Sequence, residues 1–507
     1  MGHHRSGFIV SYLSTYAENA LENQTQILMI MTAYISLLIA WGIYQGRKVK
    51  TDSDYSIAGR KLPGWIAALS ERATGESAWA LLGLPGAAYA TGLTEIWTAL
   101  GCVAGIITAW AGIAWKLRDE AEKYSADTFT DYIAKRHSDM DRWIRIAGSM
   151  TIVFFFFFYV GAQFLGGGKT MHTMFGISPR LGMFLTALII VPYTVYGGFR
   201  SVVYTDVIQA IIMIVALVIG PIVGIFHIAG HPEVFANTIP QALSIAGPQY
   251  SSLTGAASGF AAGVIIAGGF SWFFGYLGGQ PQLSMRFMAI QDPVQAKKGR
   301  NYGIAWTLLA YVGALSIGWL GIALFGPGTL KDPEFVMPAV MLEIFPPAIA
   351  ALLITGAIAA MISTADSLLI LSATELSSNI LHRDTRKRKY SGRQRLNTAR
   401  LITGFLALIA LLLAYFSPSK LIYTLVSYVW AGIGGTFSVV ILCTLFWKRY
   451  HGKAALITII AGMLFTIFWI SSGLDKAITA RLMTFIFSAI VSFSATILLK
   501  PERKTAK

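Results

Sequence analysis

Charged residues are scarce in this sequence, making up 13% of its 507 positions, whereas hydrophobic residues make up 55%. The mean hydropathy is +0.60, and no polar stretch is long enough to form a separate soluble domain. Soluble globular proteins typically have about 25% charged residues, so the composition excludes that class. It indicates a single polytopic membrane domain.

Cysteine is also rare, with Cys102 and Cys443 as the two examples. Both lie in apolar segments, so the sequence predicts no disulfide framework. The sequence contains neither a histidine and cysteine cluster at metal-binding spacing nor a nucleophile–base set. We therefore expect no catalytic residues and no enzyme.

Apolar runs of about 20 residues, the length that crosses a membrane, recur along the whole chain. They predict an all-α fold with about 13 transmembrane helices. The expected location is the plasma membrane, a bacterial inner membrane, with the protein crossing it many times. The sequence leaves the oligomeric state open.

The formal net charge of +15 would suit a nucleic-acid partner, but the distribution of the cations explains it better. Basic residues concentrate in alternate loops, most densely from Arg383 to Arg400, whereas the loop 228–255 contains no lysine or arginine. The positive-inside rule then predicts an outer N-terminus and an inner C-terminus, with a short cytoplasmic tail at 501–507. Membrane lipids are the expected neighbours of these loops, and no nucleic acid is expected.

The most unusual segment, SERATGESAW at residues 70–79, puts Glu71, Arg72 and Glu76 inside a run of membrane-spanning length. Ionisable groups at bilayer depth cost several kcal/mol and usually face protein or a water-filled cavity. Irregular backbone is tolerated there under the same conditions. Because Gly75 also breaks helices, the segment predicts a binding site within the membrane, and Glu71 is expected to face the cytoplasmic vestibule.

Two spans are interrupted by helix breakers and lie five spans apart. The second span contains Gly75 and Pro85, and the seventh contains SWFFGYLGGQP at residues 271–281. Paired broken helices are typical of transporters built from inverted repeats. The predicted organisation is a peripheral helix at 25–45, repeats at 65–228 and 255–447, and two peripheral helices at 454–499, all within one transporter domain spanning 1–500.

A broken helix exposes carbonyl oxygens, which attract cations. Sodium is a hard cation that prefers oxygen ligands, so a second source of oxygen is expected. Ser363 and Thr364 supply adjacent hydroxyls, and Ala360 lies one turn earlier. These groups could complete a sodium site with carbonyls near Gly75; alternatively, both hydroxyls simply bond the preceding helical turn.

Several motifs occur together and in one order along the chain. They are ALS (68–70), GLPGA (83–87), GGF (197–199), TD (205–206), QP (280–281), RFMA (286–289) and STADS (363–367). With these motifs the sequence resembles the sodium:solute symporter family, most closely its sodium/proline branch, over about residues 27–450. The resemblance implies a leucine-transporter-like fold of five-plus-five inverted repeats, with Na⁺ as the coupling ion for alternating access.

The resemblance also implies site residues. For the main sodium site it implies the backbone oxygens of Ala73, Glu76 and Ala360 and the side chains of Ser363 and Thr364.

Asp206 matches an acidic family position linked to sodium coupling, and Asp366 is a further candidate for coupling or a second ion. The alternative for Asp206 is a structural pair with Arg200.

For the solute, the resemblance implies an aromatic-walled pocket. Its predicted residues are Arg72, Thr74, Gly75, Tyr159, Trp272, Tyr276, Gln280 and Pro281. Aromatic walls with a few polar anchors suit a small organic solute; for Tyr159, packing behind the run of phenylalanines is the alternative.

The sequence departs from the proline branch at two pocket positions. Relatives of that branch resemble the chain at Thr74 but carry aspartate where it has Gly75. After Tyr276 this chain has LGGQPQ, with an added glycine and no histidine. Proline or a related small amino acid is the first candidate solute, and a carboxylate, a vitamin or a sugar stays open.

Arg72 and Glu76 are four residues apart and share a face of a continuous helix. They form a structural pair in one interpretation. In the other, Arg72 binds a solute carboxylate through its guanidinium fork. A proton could also replace sodium, because Glu76, Asp206 and Asp366 can titrate if buried.

The function that follows is sodium-coupled secondary active import of a small organic solute. The alternative from another class is a transporter-like membrane sensor; the eight residues after Leu499 are too few for the added cytoplasmic domain that such sensors usually carry. A channel is a third possibility, and saturable uptake would count against it.

Overall fold

The computed structural model describes residues 3–49, 51–381, 392–417 and 421–499. Throughout these ranges the chain is helical apart from its connecting loops and one isolated bridge between Leu62 and Ile290. The predicted tail at 501–507 and most of the basic stretch that follows Arg383 lie outside the described residues.

The α-helices are numbered in chain order. They are α1 (His3–Gly46), α2 (Asp52–Ile57), α3 (Gly64–Ala78), α4 (Leu84–Thr91), α5 (Ile96–Thr108), α6 (Ala114–Lys123), α7 (Phe129–Arg136), α8 (Asp141–Phe175), α9 (Pro179–Gly230), α10 (Ile239–Ala246), α11 (Pro248–Ser251), α12 (Gly259–Phe270), α13 (Trp272–Gly275), α14 (Pro281–Met288), α15 (Pro293–Phe325), α16 (Val336–Ile344), α17 (Pro347–Leu376), α18 (Gly392–Phe416), α19 (Ile422–Val429), α20 (Thr436–Phe446), α21 (Gly452–Ser471) and α22 (Ala480–Leu498). Wider π-helical turns join or extend several of them at Trp79–Gly83, Ala109–Ile113, Ser377–Leu381 and Trp430–Gly435.

Within the described ranges, ten helical stretches are long and apolar enough to cross a membrane. One of them, Gly64–Lys123, has 60 residues and contains the left-handed Gly92, where the chain turns between α4 and α5. Two shorter apolar helices, Pro179–Pro192 and Gly259–Gly275, add to the ten. The all-α membrane fold is thus confirmed, while the number of crossings and the orientation of the termini stay predictions.

Helix α17 lies at the centre of the bundle, where it packs against α8, α9 and α3. Its most apolar window is 83% buried by the rest of the protein, against 28% for α1 and 33% for α21 and for α22. A helix that is apolar on all faces must be covered by protein or lipid. The window of α18, which the sequence places within the second repeat, is also 33% buried, so burial does not separate peripheral helices from repeat helices. The peripheral helices and the repeat boundaries stay predictions.

The break in the second span lies at Ser77, so the prediction of a break at Gly75 is wrong by two residues. Ser77 has φ +53° and ψ −166°, a region that is essentially restricted to glycine. Side chains replace the backbone bonds that the break removes. The N–H of Trp79 donates to Ser77 Oγ at 3.0 Å and the N–H of Ala78 donates to Gln163 Oε1 at 3.0 Å.

The seventh span is interrupted between α12 and α14, as its sequence predicted. Gly278 has φ +79°, a left-handed conformation that glycine adopts without a steric penalty, and Gln280 is extended. Ser284 Oγ donates to the carbonyl of Gly278 at 2.8 Å. Pro281 then begins α14, where its missing N–H costs no helical hydrogen bond.

A third break divides α9 at Gly198, which has φ +65° and ψ −177°. A side chain at this position would meet the ring of Tyr55, because an added Cβ would lie 2.4 Å from its Cδ2. The break separates the predicted fifth and sixth spans and places Asp206 in the second part of α9.

Candidate functional site

The segment predicted to form a membrane site is buried. Ser70, Arg72, Thr74 and Glu76 have no exposed surface, and Glu71 is 1% exposed. Glu71 does not face a solvated vestibule, so that expectation is wrong. It accepts hydrogen bonds from Arg72 and from Trp110 Nε1, the latter at 3.0 Å.

Arg72 is an internal ion-pair hub of α3. Its Nη1 lies 2.7 Å from Glu76 Oε1, and its Nε and Nη2 both donate to Glu71. A buried guanidinium is stabilised only where anions and acceptors surround it. Both of its carboxylate partners belong to the protein, which favours the structural pairing over recognition of a solute by Arg72.

A second buried arginine joins four helices. Arg286 of α14 contacts Asp206 Oδ2 at 3.0 Å, Thr74 Oγ1 at 2.9 Å and Ser367 Oγ at 2.5 Å. Its Nε donates to Ser70 Oγ at 3.1 Å. The pairing of Asp206 with Arg200 is therefore wrong; the sequence did not indicate Arg286, which lies 80 residues away.

Predicted sodium ligands meet this network on its α17 side. Ser363 Oγ donates to Asp206 Oδ1 at 2.6 Å and lies 3.5 Å from Thr74 Oγ1. Thr364 Oγ1 donates to the carbonyl of Thr74 at 3.0 Å. In a continuous helix that carbonyl would accept from the N–H of Ala78, which here bonds Gln163.

The break at Ser77 thus brings α3 and α17 together through oxygen atoms. Carboxylate, carbonyl and hydroxyl oxygens are the ligand set of a hard cation, so these residues fit a sodium ion. Ala73 and Ala360 are buried on the same two helices, and Asp366 is buried in α17. Their roles as ligands or coupling groups stay predictions.

Aromatic side chains form a cluster on the other side of the break. Trp272 lies 4.5 Å from Trp79 and 5.5 Å from Trp430, measured between the centroids of the tilted rings, and Tyr276 lies 4.3 Å from Trp430. Tyr423 joins at 5.8 Å from Trp272. We call this group of closely packed rings, which consists of Trp79, Trp272, Tyr276, Tyr423 and Trp430, the aromatic chamber.

The chamber includes residues that the sequence did not assign to a site. Trp79 and Trp430 lie in or beside conspicuous motifs, but a position in a motif does not show which way a side chain points. Of the predicted residues, Trp272 and Tyr276 belong to the chamber. Tyr159 of α8 lies at the break in α3, where its hydroxyl donates to Ser77 Oγ at 3.4 Å.

The remaining predicted solute residues are buried in α3 and at the start of α14. Gln280 accepts from Gln282 Nε2 at 3.0 Å, and Pro281 is buried at the start of α14. Gly75 faces Leu283, whose Cδ2 would be 3.2 Å from an added Cβ, and the guanidinium of Arg72 at 3.5 Å. An aspartate here would therefore approach Arg72, and Glu71 and Glu76 supply that negative charge instead.

This chain is similar in sequence to known membrane transporters. The sodium:solute symporter family profile matches residues 55–462. The osmoregulated proline transporter OpuE of Bacillus subtilis is 32% identical over 95% of this chain and 96% of its own. The high-affinity proline transporter PutP of the same organism is 33% identical over 91% and 94%.

Solved structures support the fold independently of sequence. A Na⁺-coupled sialic acid symporter in a substrate-bound outward-open state aligns with a TM-score of 0.77 over 94% of this chain and 99% of its own, at 19% identity. Mhp1, a nucleobase-cation-symport-1 family transporter, aligns with a TM-score of 0.55 over 88% and 93%, at 14% identity. These matches confirm the predicted leucine-transporter-like fold.

The match covers most of the chain, the relatives exceed 30% identity over nearly their full length, and the fold agrees. The chain belongs to the sodium:solute symporter family.

Proposed function

We propose that this multi-pass plasma-membrane protein imports a small amino acid, proline first, together with sodium. The observation that carries the proposal is the oxygen-lined contact between the break in α3 and the hydroxyls of α17, next to the aromatic chamber. Family membership supports sodium coupling, and the names of its relatives support proline as the first candidate.

The geometry suggests how ion and solute are coupled. Sodium bound between Thr74 on α3 and Ser363 and Thr364 on α17 draws the two helices together. Trp79 follows Thr74 by five residues across the break, so the same ion orders one wall of the solute chamber. The ion is thus proposed to favour the conformation that binds solute, which is the differential affinity that coupling requires.

The test is uptake of radiolabelled L-proline by purified protein in proteoliposomes. An inward sodium gradient should drive accumulation, and an equal potassium gradient should not. If a proton gradient drives uptake without sodium, the coupling ion is the proton and the proposed sodium coupling is wrong. Sodium-dependent stabilisation in a thermal-shift screen of amino acids, monocarboxylates, vitamins and sugars identifies the solute if proline is not accumulated.

A further inference from the structure

Arg481 reaches the aromatic chamber from a helix outside the predicted repeats. It is the second residue of α22, its side chain is 93% buried, and its guanidinium lies 4.4 Å from the centroid of the Trp272 ring. It donates to Ser427 Oγ, to Ser271 Oγ at 3.1 Å and to the carbonyl of Gly268 at 3.0 Å. It therefore covers the chamber between α12 and α19.

The partners of Arg481 are neutral, in contrast to those of the other arginines at the site. Arg72 has carboxylate oxygens of Glu71 and Glu76 in contact, and Arg286 has Asp206 at 3.0 Å. In the described part of the chain, no carboxylate oxygen lies within 4.0 Å of Arg481. Burying a cation without a matching anion is costly.

The acidic side chain that Arg481 influences from a distance is Glu95. Its oxygens accept from the hydroxyls of Thr91 and Tyr423, both at 3.4 Å. Glu95 therefore interacts with the charge of Arg481 from a distance, but it accepts no hydrogen bond from the guanidinium.

Unused donors in the chamber point to an acceptor from outside the chain. In the described structure the indole N–H groups of Trp79, Trp272 and Trp430 are buried and make no hydrogen bond of good geometry. The hydroxyl of Tyr423 lies near Trp272, and that of Tyr159 lies near Trp430. Buried N–H groups without partners are rare in folded proteins. Because the Arg481 guanidinium lies over the Trp272 ring without a contacting carboxylate, an anionic acceptor from outside the chain would fit this side of the chamber.

We propose that Arg481 recognises the carboxylate of the transported solute at the α12–α19 side of the chamber. Guanidinium binds carboxylate through two parallel charge-assisted hydrogen bonds, which are about twice as strong as its present bonds to neutral hydroxyls. The proposal rests on the proposed function and deepens it. It predicts that solutes need a carboxylate to bind tightly. It also assigns recognition of that carboxylate to Arg481 rather than to Arg72.

The test compares the wild type with Arg481→Gln, Arg481→Lys and the exposed control Arg142→Gln. Sodium-driven uptake of L-proline gives KM and maximal rate for each protein. Competition by L-proline and by L-prolinamide, which lacks the carboxylate, gives a preference ratio. Arg481→Gln should raise KM about tenfold, lower the maximal rate little and abolish most of the preference. Arg481→Lys should be intermediate, and Arg142→Gln should match the wild type.

An unchanged preference ratio in Arg481→Gln would overturn the proposal, even if KM rises. Arg481 would then have only a structural role in helix packing. If Arg481→Gln is not monodisperse, the ratio is read from Arg481→Lys. If the wild type does not accumulate L-proline, the choice of solute in the proposed function fails. The inference is then tested by thermal shift: small carboxylates should stabilise the wild type more than their amides do, and equal stabilisation would overturn it.

Discussion

At the scale of single residues, the charges of Arg72, Arg286 and their carboxylate partners are paired within the protein rather than exposed to water. Asp206 illustrates this, because each of its oxygens has protein donors. Oδ1 accepts from Ser363, and Oδ2 accepts from Ser70 and Arg286. The carboxylate therefore serves both the arginine of α14 and the hydroxyls proposed to bind sodium.

Asp206→Asn should destabilise the protein strongly. Removing one partner of a buried ion pair leaves the other charge uncompensated and costs about 3–5 kcal/mol. Thermal unfolding in detergent should show a large fall in Tm. The matched control is Glu122→Gln, which removes the partner of Arg118 at a carboxylate that is 56% exposed and should leave Tm nearly unchanged. Equal shifts in the two variants would contradict the importance of the buried pair.

At the scale of helices, the break in α3 positions both the ion ligands and the chamber. Ser77 adopts a backbone conformation that glycine would adopt more easily, and its hydroxyl compensates by accepting the N–H of Trp79. The side chain of Gln163 on α8 likewise accepts a hydrogen bond from the N–H of Ala78. Strained residues of this kind persist where the surrounding structure determines them, often at functional sites.

Substitutions of Ser77 separate the strain from the hydrogen bond. Ser77→Ala keeps the strained backbone and loses the hydroxyl that accepts from Trp79 and Tyr159, while the N–H of Trp79 keeps its bond to the carbonyl of Glu76. It should therefore destabilise the protein by about 1 kcal/mol. Ser77→Gly loses the same acceptor but relieves about 1–2 kcal/mol of backbone strain, so its Tm should lie above that of Ser77→Ala. A lower Tm for Ser77→Gly than for Ser77→Ala would argue against a strained break.

At the scale of the whole molecule, one contact outside the spans makes stability depend on pH. His137, between α7 and α8, is buried and lies 3.1 Å from the hydroxyl of Thr444 on α20 through its Nε2. Burial, with the nearby charges of Arg136 and His451, lowers the pKa of His137 to about 3. The native state therefore excludes the proton that the unfolded chain accepts near pH 6.5.

Stability should fall as the pH drops below about 6.5 and should continue to fall towards pH 3, because only the unfolded state gains a proton in this range. His137→Gln should flatten this part of the Tm profile. His231→Gln, at an exposed histidine, should keep the slope of the wild type. A profile for His137→Gln that parallels the wild type would contradict the assignment.

The features that the sequence predicted correctly are those that depend on residues close together in the chain. Apolar run length predicted the helices, and glycine and proline predicted the interruption at 278–281, because both depend on neighbouring residues. The position of the break at Ser77 was not predictable, since it depends on Gln163 and Tyr159 of another helix. The pairing of Arg286 with Asp206 and the approach of Arg481 to Trp272 depend likewise on helix packing across long sequence separations.

The central claim is that sodium binds between the break in α3 and the hydroxyls of α17. Its most direct test is the sodium concentration for half-maximal L-proline uptake in the double variant Ser363→Ala with Thr364→Ala. The matched control is Thr355→Ala with Thr374→Ala, whose hydroxyls on the same helix bond only the preceding turn at Ala351 and Ile370. We predict a rise of about tenfold or more in the site variant and little change in the control; an unchanged sodium dependence in the site variant would contradict the account.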